Sequence, residues 1–388
     1  MNKKKAIKVA LVANTAWSIY NFRLGVMRAM LDKGIEVIAI APRDDYADKL
    51  TAAGVTYISL KLKAHSTSPF TDMKTWYHLY QIYKDQRPDL VLHYTIKMNI
   101  YGSIACSWLG LTSISVVTGL GRTFQLSKYT QLLINRLYQQ ATKANQEVWV
   151  LNTEDKKRLA KEGIVESEKI FLLPSEGVNT RRFIGSVPKA NKKIFRFLYA
   201  GRLLHDKGIL AYIEAARHLV QAGYKVRCEV VGFVNPADSM SVSLNDLRKW
   251  QDEGVINYLG SHEDVRPFID RADCIVYPSY YQEGVSRILL EAASMSRPII
   301  TTDQVGCRDV VQHDKNGFLI RPQSLEELIT AMIKMMSLSH QDRIIMGHRG
   351  RLLVKELYDE EKIIKVYFDR LISDLIRKDS LTYKLKTP

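Results

Sequence analysis

Short runs of apolar and β-branched residues alternate along the chain with segments of helical spacing. In the first half the runs predict strands at 7–13, 36–40, 57–60, 90–94, 113–117 and 148–151. In the second half they predict strands at 197–200, 228–231, 257–259, 274–277, 299–302 and 318–320. Buried runs linked by helical crossovers are typical of parallel sheets covered on both faces. The pattern therefore predicts an α/β fold with two doubly wound domains.

A turn-rich, charged stretch between Pro174 and Ile194 predicts the division between these domains. We expect an N-terminal domain over 1–180 and a C-terminal domain over 190–355. A helical tail over 356–388 is expected to pack back toward the N-terminal domain. Open parallel sheets bind ligands at the carboxyl ends of their strands, so two such domains facing each other predict a binding cleft between them.

Composition narrows the classes of partner. The formal charge of +15 predicts an anionic partner, which could be nucleic acid, phospholipid or a phosphorylated substrate. No zinc-finger spacing or aromatic RNA-binding block is present, so nucleic acid is disfavoured. The four cysteines are widely spaced, which indicates reduced core residues rather than disulfides or a zinc site. No apolar run reaches the ~18 residues of a spanning helix, so we expect a soluble or peripheral protein in the cytoplasm.

Two constellations in the second half carry candidate chemistry. Gly201-Arg202 follows a predicted strand, and Lys207-Gly208 comes shortly after it. Two cations beside glycines suit a diphosphate, although the alternative is a pair of ordinary surface cations.

The second constellation runs from Glu283 to Glu291, with a helix predicted to start near Val285. A helix start favours phosphate. A carboxylate in an apolar helical run needs a partner, which could be a ribose diol or a nearby arginine.

Taken together, these motifs resemble those of the retaining GT-B glycosyltransferases of family 4. The motifs are Gly201-Arg202, Lys207-Gly208, Glu283-x7-Glu291, Arg297-Pro298 and Asn316-Gly317. Three N-terminal segments, 12–23, 97–102 and 117–121, look like bacterial transferases that extend polyprenyl-diphosphate-linked oligosaccharides, an N-acetylgalactosaminyltransferase among them.

The resemblance implies a role for each matching residue. Arg202 and Lys207 would hold the donor diphosphate, Glu291 the ribose and Glu283 the donor sugar. Gly201, Gly284, Val285 and Ser286 would complete the donor site, and Asn14, Thr15, Thr118 and Gly119 would lie on the acceptor side. The first loop reads Asn-Thr-Ala-Trp where many members carry glycine, and Thr118-Gly119 stands where many carry a histidine. The nearest histidine, His93, would either face the sugar or be a satisfied core group.

The implied reaction moves a hexosamine such as GalNAc or GlcNAc, or a hexose, from a UDP-sugar to a lipid-diphosphate-linked saccharide. Capsule, O-antigen, exopolysaccharide and N-glycan synthesis all use such steps. No Asp-x-Asp motif occurs, which predicts a site that needs no metal or other cofactor. Glu283 acting as a covalent nucleophile is the less favoured mechanism. A non-hydrolysing nucleotide-sugar epimerase and a basic nucleic-acid-binding protein are the alternative functions.

The first half also suggests contact with an anionic membrane at the inner face of the plasma membrane. Segment 124–143 mixes apolar and basic residues, as a helix in a lipid interface does, or as an ordinary domain helix does. Trp76, Tyr80 and Tyr83 are expected to be core residues rather than membrane anchors. The basic residues of this half are Lys3, Lys4, Lys5, Lys61, Lys63, Arg122, Lys128, Arg136 and Lys143.

Overall fold

The computed structural model describes residues 6–62, 69–119, 128–188, 190, 193–372 and 375. Two compact units make up the chain, Met1–Glu176 with Glu361–Pro388 and Gly177–Glu360. Residues 356–360, which were predicted to open the tail, belong to the second unit. The Val178 N–H donates to the Tyr358 carbonyl at 2.9 Å, and this bond ties both ends of that unit together.

The first unit is built on a parallel sheet with strand order β3-β2-β1-β4-β5-β6-β7. Its strands are β1 (Lys8–Val12), β2 (Glu36–Ala41), β3 (Thr56–Ser59), β4 (Leu90–Tyr94), β5 (Ser113–Val117), β6 (Glu147–Val150) and β7 (Ile170–Leu172). Its helices are α1 (Ala16–Asp32), α2 (Ala47–Ala52), α3 (Pro69–Gln86), α4 (Ser103–Leu109), α5 (Lys128–Thr142) and α6 (Thr153–Lys161). A π-helix, Met98–Gly102, leads into α4.

Alternating side chains of this sheet face two helical layers. Leu11 shares a core with α1 and with Tyr367 of the tail helix. Val12 packs against α3 and α4 on the opposite face. The strand register continues that second face from Val12 to Val148, which packs against α5. Because strand side chains alternate, α3, α4 and α5 cover one face and α1 covers the other.

The second unit is built on a parallel sheet with strand order β10-β9-β8-β11-β12-β13. Its strands are β8 (Phe195–Ala200), β9 (Val226–Val231), β10 (Asn257–Tyr258), β11 (Cys274–Tyr277), β12 (Ile299–Thr302) and β13 (Gly317–Ile320). Its helices are α7 (Ile209–Gln221), α8 (Leu244–Asp252), α9 (Arg266–Arg271), α10 (Arg287–Ser294), α11 (Leu325–Ser337) and α12 (His340–Leu357). The helix α13 (Glu360–Tyr367) then leads into the tail.

One pairing in the second sheet decides where its site forms. β8 lies beside β11, and Cys274 pairs with Phe197. The carboxyl ends of parallel neighbours meet at the same edge, so the loops after Ala200 and Tyr277 lie side by side. This edge is also where the strand order reverses, between β8 and β11.

The sequence predictions hold for both sheets. Strands at 90–94, 113–117, 274–277 and 299–302 have the predicted bounds, and the other predicted strands differ by one or two residues at an end. β7 was missed because its three residues run directly into Leu173 and Pro174. All four cysteines are free and buried, as predicted.

The tail contributes to the core of the first unit through Ile363 and Tyr367 of α13 and through Leu371 of the π-helix that follows it, Phe368–Ile372. In the described part of the chain, no helix has both the length and the apolar character needed to cross a bilayer.

Candidate active site

The loop that follows β8 is held tightly against the end of β9. Gly201 has a φ of 148°, and its N–H donates to the Val231 carbonyl at 3.0 Å. A Cβ at Gly232 would lie 1.9 Å from the Gly201 carbonyl oxygen. Gly232 therefore requires glycine because a side chain there would push the two strand ends apart, and Gly201 favours glycine because of its positive φ.

The same loop is also fixed to the loop after β11. A 3-10 helix, His205–Lys207, ends at Gly208, which has a φ of 81°. A Cβ at Gly208 would lie 2.1 Å from the Pro278 carbonyl oxygen. The Tyr280 N–H donates to the Asp206 carbonyl at 3.0 Å. These contacts hold two segments that are about seventy residues apart in sequence, the loop after β8 and the loop after β11, against each other. We call the place where they meet, with Arg202, Lys207 and Glu283, the corner.

Lys207 and Glu283 form an ion pair at this corner. The Lys207 Nζ lies 2.6 Å from the Glu283 Oε2 and 4.2 Å from the centre of the Tyr281 ring. Lys207 is buried, with 2% of its surface exposed. Burial lowers the pKa of the Lys207 ammonium, Glu283 opposes that effect, and Arg202 adds to it. The ammonium is thus held in a poorly solvated place by one carboxylate.

The second carboxylate oxygen of Glu283 lacks a partner. Its Oε1 is buried and accepts no hydrogen bond from any described residue. A buried acceptor without a donor is costly, so this oxygen favours a ligand that brings a donor to it. A hydroxyl group of a bound ligand would supply the missing donor.

Arg202 provides a second cation beside the pair. Its side chain is exposed and forms no ion pair within the described part of the chain. It lies near enough to Lys207 to lower the pKa of that ammonium. Arg202 and Lys207 thus place two cations at this edge of the sheet, close to the carboxylates of Glu283 and Asp206. A pair of cations suits a diphosphate.

The start of α10 adds backbone donors. The helix begins at Arg287 with Ser286 as its N-cap, so the predicted start near Val285 is two residues early. The Ser286 N–H donates to the Gly306 carbonyl at 3.0 Å, and Ser286 is buried. The N–H groups of Gly284 and Val285 bond to no described residue, so both are available to a ligand.

Glu291 has an arginine partner. The Arg287 Nε lies 3.0 Å from the Glu291 Oε1, one helical turn away. Burial raises the pKa of the Glu291 carboxyl, while Arg287 and Arg182 oppose the rise. Of the two partners that the sequence left open, the structure contains the arginine. The Oε2 of Glu291 bonds to no described residue and can still accept a hydroxyl.

The acceptor-side candidates of the first unit have different surroundings. Thr15 caps α1, because its Oγ1 accepts from the Ser18 N–H at 3.1 Å. Asn14 precedes it, is half-buried, and has a side chain with no described hydrogen-bond partner. Thr118 and Gly119 follow β5 and are half-buried, with Gly119 at a φ of 126°. Gly121, the last residue of that motif, lies outside the described residues.

His93 does not face a ligand. It is fully buried; its Nε2 lies 2.9 Å from the Tyr83 hydroxyl and its Nδ1 lies 3.4 Å from the Ser103 Oγ. Burial lowers the pKa of His93 to about 3. A Cβ at Gly102 would lie 2.3 Å from its Nε2. The sugar-contacting alternative for His93 is therefore wrong, and the histidine is a neutral core group.

Comparisons with known proteins agree with this arrangement. Residues 8–153 match the family model described as glycosyl transferase 4-like, and residues 194–337 match glycosyl transferases group 1. Anabaena HepE, crystallised in complex with UDP-glucose, has a TM-score of 0.77 at 16% identity, covering 95% of this chain and 100% of HepE. The chain belongs to the GT-B glycosyltransferases. This membership favours the transferase over the epimerase and the nucleic-acid-binding alternatives.

Two relatives of this transferase have substrates in their names. An N,N'-diacetylbacillosaminyl-diphospho-undecaprenol alpha-1,3-N-acetylgalactosaminyltransferase of Campylobacter jejuni is 25% identical over 393 residues, covering 95% of this chain and 100% of the relative. A UDP-Gal:alpha-D-GlcNAc-diphosphoundecaprenol alpha-1,3-galactosyltransferase of Escherichia coli is 27% identical over 357 residues, covering 86% of this chain and 87% of the relative.

The sequence missed Tyr281 and Thr95. Tyr281 lies beneath the Lys207 ammonium, and no spacing rule links a loop tyrosine to a lysine so far away. Thr95 follows β4, has a φ of 76°, and has a buried Oγ1 with no partner among the described residues. Positive φ is rare for a β-branched residue, and such strain clusters at functional sites.

The motif at 97–102 also has a structural explanation. Lys97 and Tyr101 both bind the Asp72 carboxylate at 2.8 Å, and Asn99 donates to the Tyr138 hydroxyl at 2.6 Å. These bonds anchor the π-helix after β4 to α3 and α5.

Proposed function

We propose that this transferase moves a sugar from a UDP-sugar to a lipid-diphosphate-linked saccharide during the synthesis of a cell-surface glycan. The observation that carries the donor half is the corner formed by Arg202, Lys207 and Glu283. It offers two cations and an unsatisfied carboxylate oxygen within one rigid set of loops. The names of the two relatives support the acceptor half, since both act on sugars linked through a diphosphate to undecaprenol.

In this proposal the diphosphate binds between Arg202 and the start of α10. The exposed Arg202 guanidinium offers a planar fork of donors, and the free N–H groups of Gly284 and Val285 offer backbone donors. Lys207 adds a buried positive charge, which acts strongly because water is excluded from it. These groups neutralise the donor without requiring a metal ion.

The two glutamates bind the two sugars of the donor. The Glu283 Oε1 accepts from a hydroxyl of the sugar that is transferred, which satisfies its buried lone pairs. The Glu291 Oε2 accepts from the ribose, while its Oε1 stays with Arg287. Glu283 is engaged by Lys207 through its other oxygen, so it acts as a positioning and charge-balancing group rather than as a nucleophile.

The chemical step follows from this charge distribution. The bond between the anomeric carbon and the diphosphate oxygen breaks, and negative charge develops on the leaving group. Arg202 and Lys207 stabilise that charge because they are already oriented toward it. The acceptor hydroxyl attacks the same face of the oxocarbenium-like carbon, and its proton passes to the departing phosphate oxygen. The product then keeps the anomeric configuration of the donor.

A transfer assay tests this proposal. The enzyme is incubated with UDP-GalNAc, UDP-GlcNAc, UDP-galactose or UDP-glucose and with GlcNAc-diphospho-undecaprenol as the probe acceptor. We expect one donor to give a product that carries one added sugar, and NMR to show a retained configuration. Inversion would overturn the same-face mechanism, and UDP-sugar hydrolysis without transfer would overturn the acceptor assignment.

A matched pair of arginine variants checks the site. Arg202→Ala is expected to lower the transfer rate at least a hundredfold, in line with the loss of one transition-state donor, which costs about 10²–10³ in rate. Arg248 of α8 is equally an exposed arginine with no described partner, so Arg248→Ala is the control. Equal activities of the two variants would contradict the diphosphate role of Arg202.

A further inference from the structure

The outer surface of α3, α4 and α5 is unusually apolar. These helices cover one face of the first sheet, and their buried sides fill its core. Their outward sides carry large hydrophobic residues where a globular domain normally places polar ones. The exposed residues are Phe70, Met73 and Tyr77 of α3, Trp108 of α4, and Tyr129, Leu132 and Leu133 of α5.

The pattern on α5 is the clearest. Tyr129, Leu132, Leu133 and Arg136 recur at helical spacing and are all exposed, with Tyr129 at 87%. Tyr138 lies on the opposite side of the helix and is buried in the core. The helix thus has two apolar faces, of which one is buried in the core of the unit and the other is exposed. Residues 124–127 of the predicted segment lie outside the described residues.

Aromatic residues extend this surface across α3 and α4. Trp108 is 69% exposed, and its ring meets Trp76 edge to face at a centroid distance of 5.0 Å. Tyr83 is buried in the core, as the sequence predicted, whereas Trp76 and Tyr80 are only partly buried. Tryptophan and tyrosine prefer the boundary between lipid headgroups and acyl chains, because their rings are apolar and carry one polar group.

The charges around the surface are those of a lipid-binding face. α5 contains no acidic residue. The one carboxylate in the first turn of α3, Asp72, is neutralised by Lys97 at 2.8 Å. Lys74, Arg136 and Lys143 are exposed at its margins. Of the predicted cations, Lys61 is also exposed, whereas Lys3, Lys4, Lys5, Lys63 and Arg122, and the side chain of Lys128, lie outside the described residues.

We propose that this surface, formed by Phe70, Met73, Tyr77, Trp108, Tyr129, Leu132 and Leu133, docks the enzyme on an anionic bilayer. The apolar side chains enter the headgroup region, and the marginal cations bind the lipid phosphates. The purpose of docking rests on the proposed lipid-linked acceptor, but the binding itself does not. A bilayer explains both features of the surface, its aromatic content and the exposed cations Lys74, Arg136 and Lys143, which form no ion pair with a described residue.

Vesicle sedimentation tests the docking surface with a matched control. Leu132→Ser/Leu133→Ser removes two side chains that are 52% and 59% exposed. Leu352→Ser/Leu357→Ser removes two from α12 that are 53% and 47% exposed. With vesicles of phosphatidylglycerol and phosphatidylcholine, we expect the first variant to lose at least tenfold in partitioning and the second to stay within twofold of wild type. Pure phosphatidylcholine should bind wild type more weakly.

Trp108 supplies a direct readout of insertion. Brominated lipids should quench part of the tryptophan fluorescence of the wild type, and Trp108→Phe should remove that part. Unchanged thermal unfolding and UDP affinity show that the variants are folded.

Several results would overturn the proposal. These are absence of vesicle binding, equal loss in the test and control variants, or a wild-type dimer that the test variant disrupts while no vesicles bind. A protein that binds vesicles but no UDP-sugar would instead contradict the proposed function.

Discussion

Glu283→Gln should destabilise the second unit through the lysine it leaves behind. The substitution keeps the shape of the side chain but removes the charge 2.6 Å from the Lys207 ammonium. Breaking a buried ion pair from one side costs about 3–5 kcal/mol. Glu283 is 20% exposed, so we expect the lower end of this range. For a unit of this size about 3 kcal/mol lowers the Tm by roughly 6–12 °C.

The double variant Lys207→Met/Glu283→Gln separates charge from packing. Without either charge no uncompensated ion is buried, so we expect the double variant to recover most of the lost Tm. Glu283→Gln and the double variant should both be inactive, because the first loses the carboxylate of the proposed donor site and the second loses both the carboxylate and the Lys207 cation. Differential scanning calorimetry measures the Tm of each, with Arg248→Ala as a control outside the pair.

The pH dependence of this defect has a definite sign. Burial already lowers the pKa of Lys207 from its ordinary 10.5, and loss of Glu283 removes the group that opposes this. The unfolded chain then binds more protons than the folded one at alkaline pH, so the stability of Glu283→Gln relative to wild type rises with pH. A double variant no more stable than Glu283→Gln, or Glu283→Gln as stable as wild type, would refute the buried-pair reasoning.

Two further predictions concern the two units separately. Gly208→Ala should unfold at a temperature several degrees lower and lose activity, because its Cβ would lie 2.1 Å from the Pro278 carbonyl oxygen. The control is Gly223→Ala, which also has a positive φ, 76°, but has open space around it. Equal Tm values of the two variants would contradict the close approach at Gly208. His93 has a pKa of about 3 when folded and 6.5 when unfolded, so the unfolded state binds a proton that the folded state does not. The free energy of unfolding should therefore fall by about 2 kcal/mol as the pH is lowered from 7 to 5. Urea unfolding of His93→Gln should lack this acid-dependent loss, and an unchanged pH dependence would contradict it.

The strands that the sequence predicted best are those that are buried on both faces. Every residue of Leu90–Tyr94 and of Cys274–Tyr277 is buried, and all but His93 are apolar, so the runs mark the ends of these strands clearly. Ile170–Leu172 lies at the edge of its sheet and is only three residues long, too short to show a period. The start of α10 was placed two residues early although Ser286, a residue type favoured at the N-cap, stands directly before Arg287.

The chemistry of the site was predictable in its residue types but not in its pairings. Lys207 and Glu283 are 76 positions apart, and only the pairing of β8 with β11 brings them together. Arg287 and Glu291 have the i,i+4 spacing of neighbours on a helix, so the predicted helix already allowed this pair, but the sequence did not decide between an arginine and a ribose as the partner. His93 ends a strand, as a ligand-binding histidine often does, yet Tyr83 and Ser103 satisfy it inside the core.

The most direct test of the account is the affinity of the second unit's site for the diphosphate. Isothermal titration calorimetry compares UDP with uridine on the wild type, on Arg202→Ala and on Arg248→Ala. We expect wild type and Arg248→Ala to bind UDP far more tightly than uridine. Arg202→Ala should lose at least tenfold in UDP affinity and keep its affinity for uridine. Equal affinities of all three proteins for UDP would contradict the claim that this corner holds the donor diphosphate.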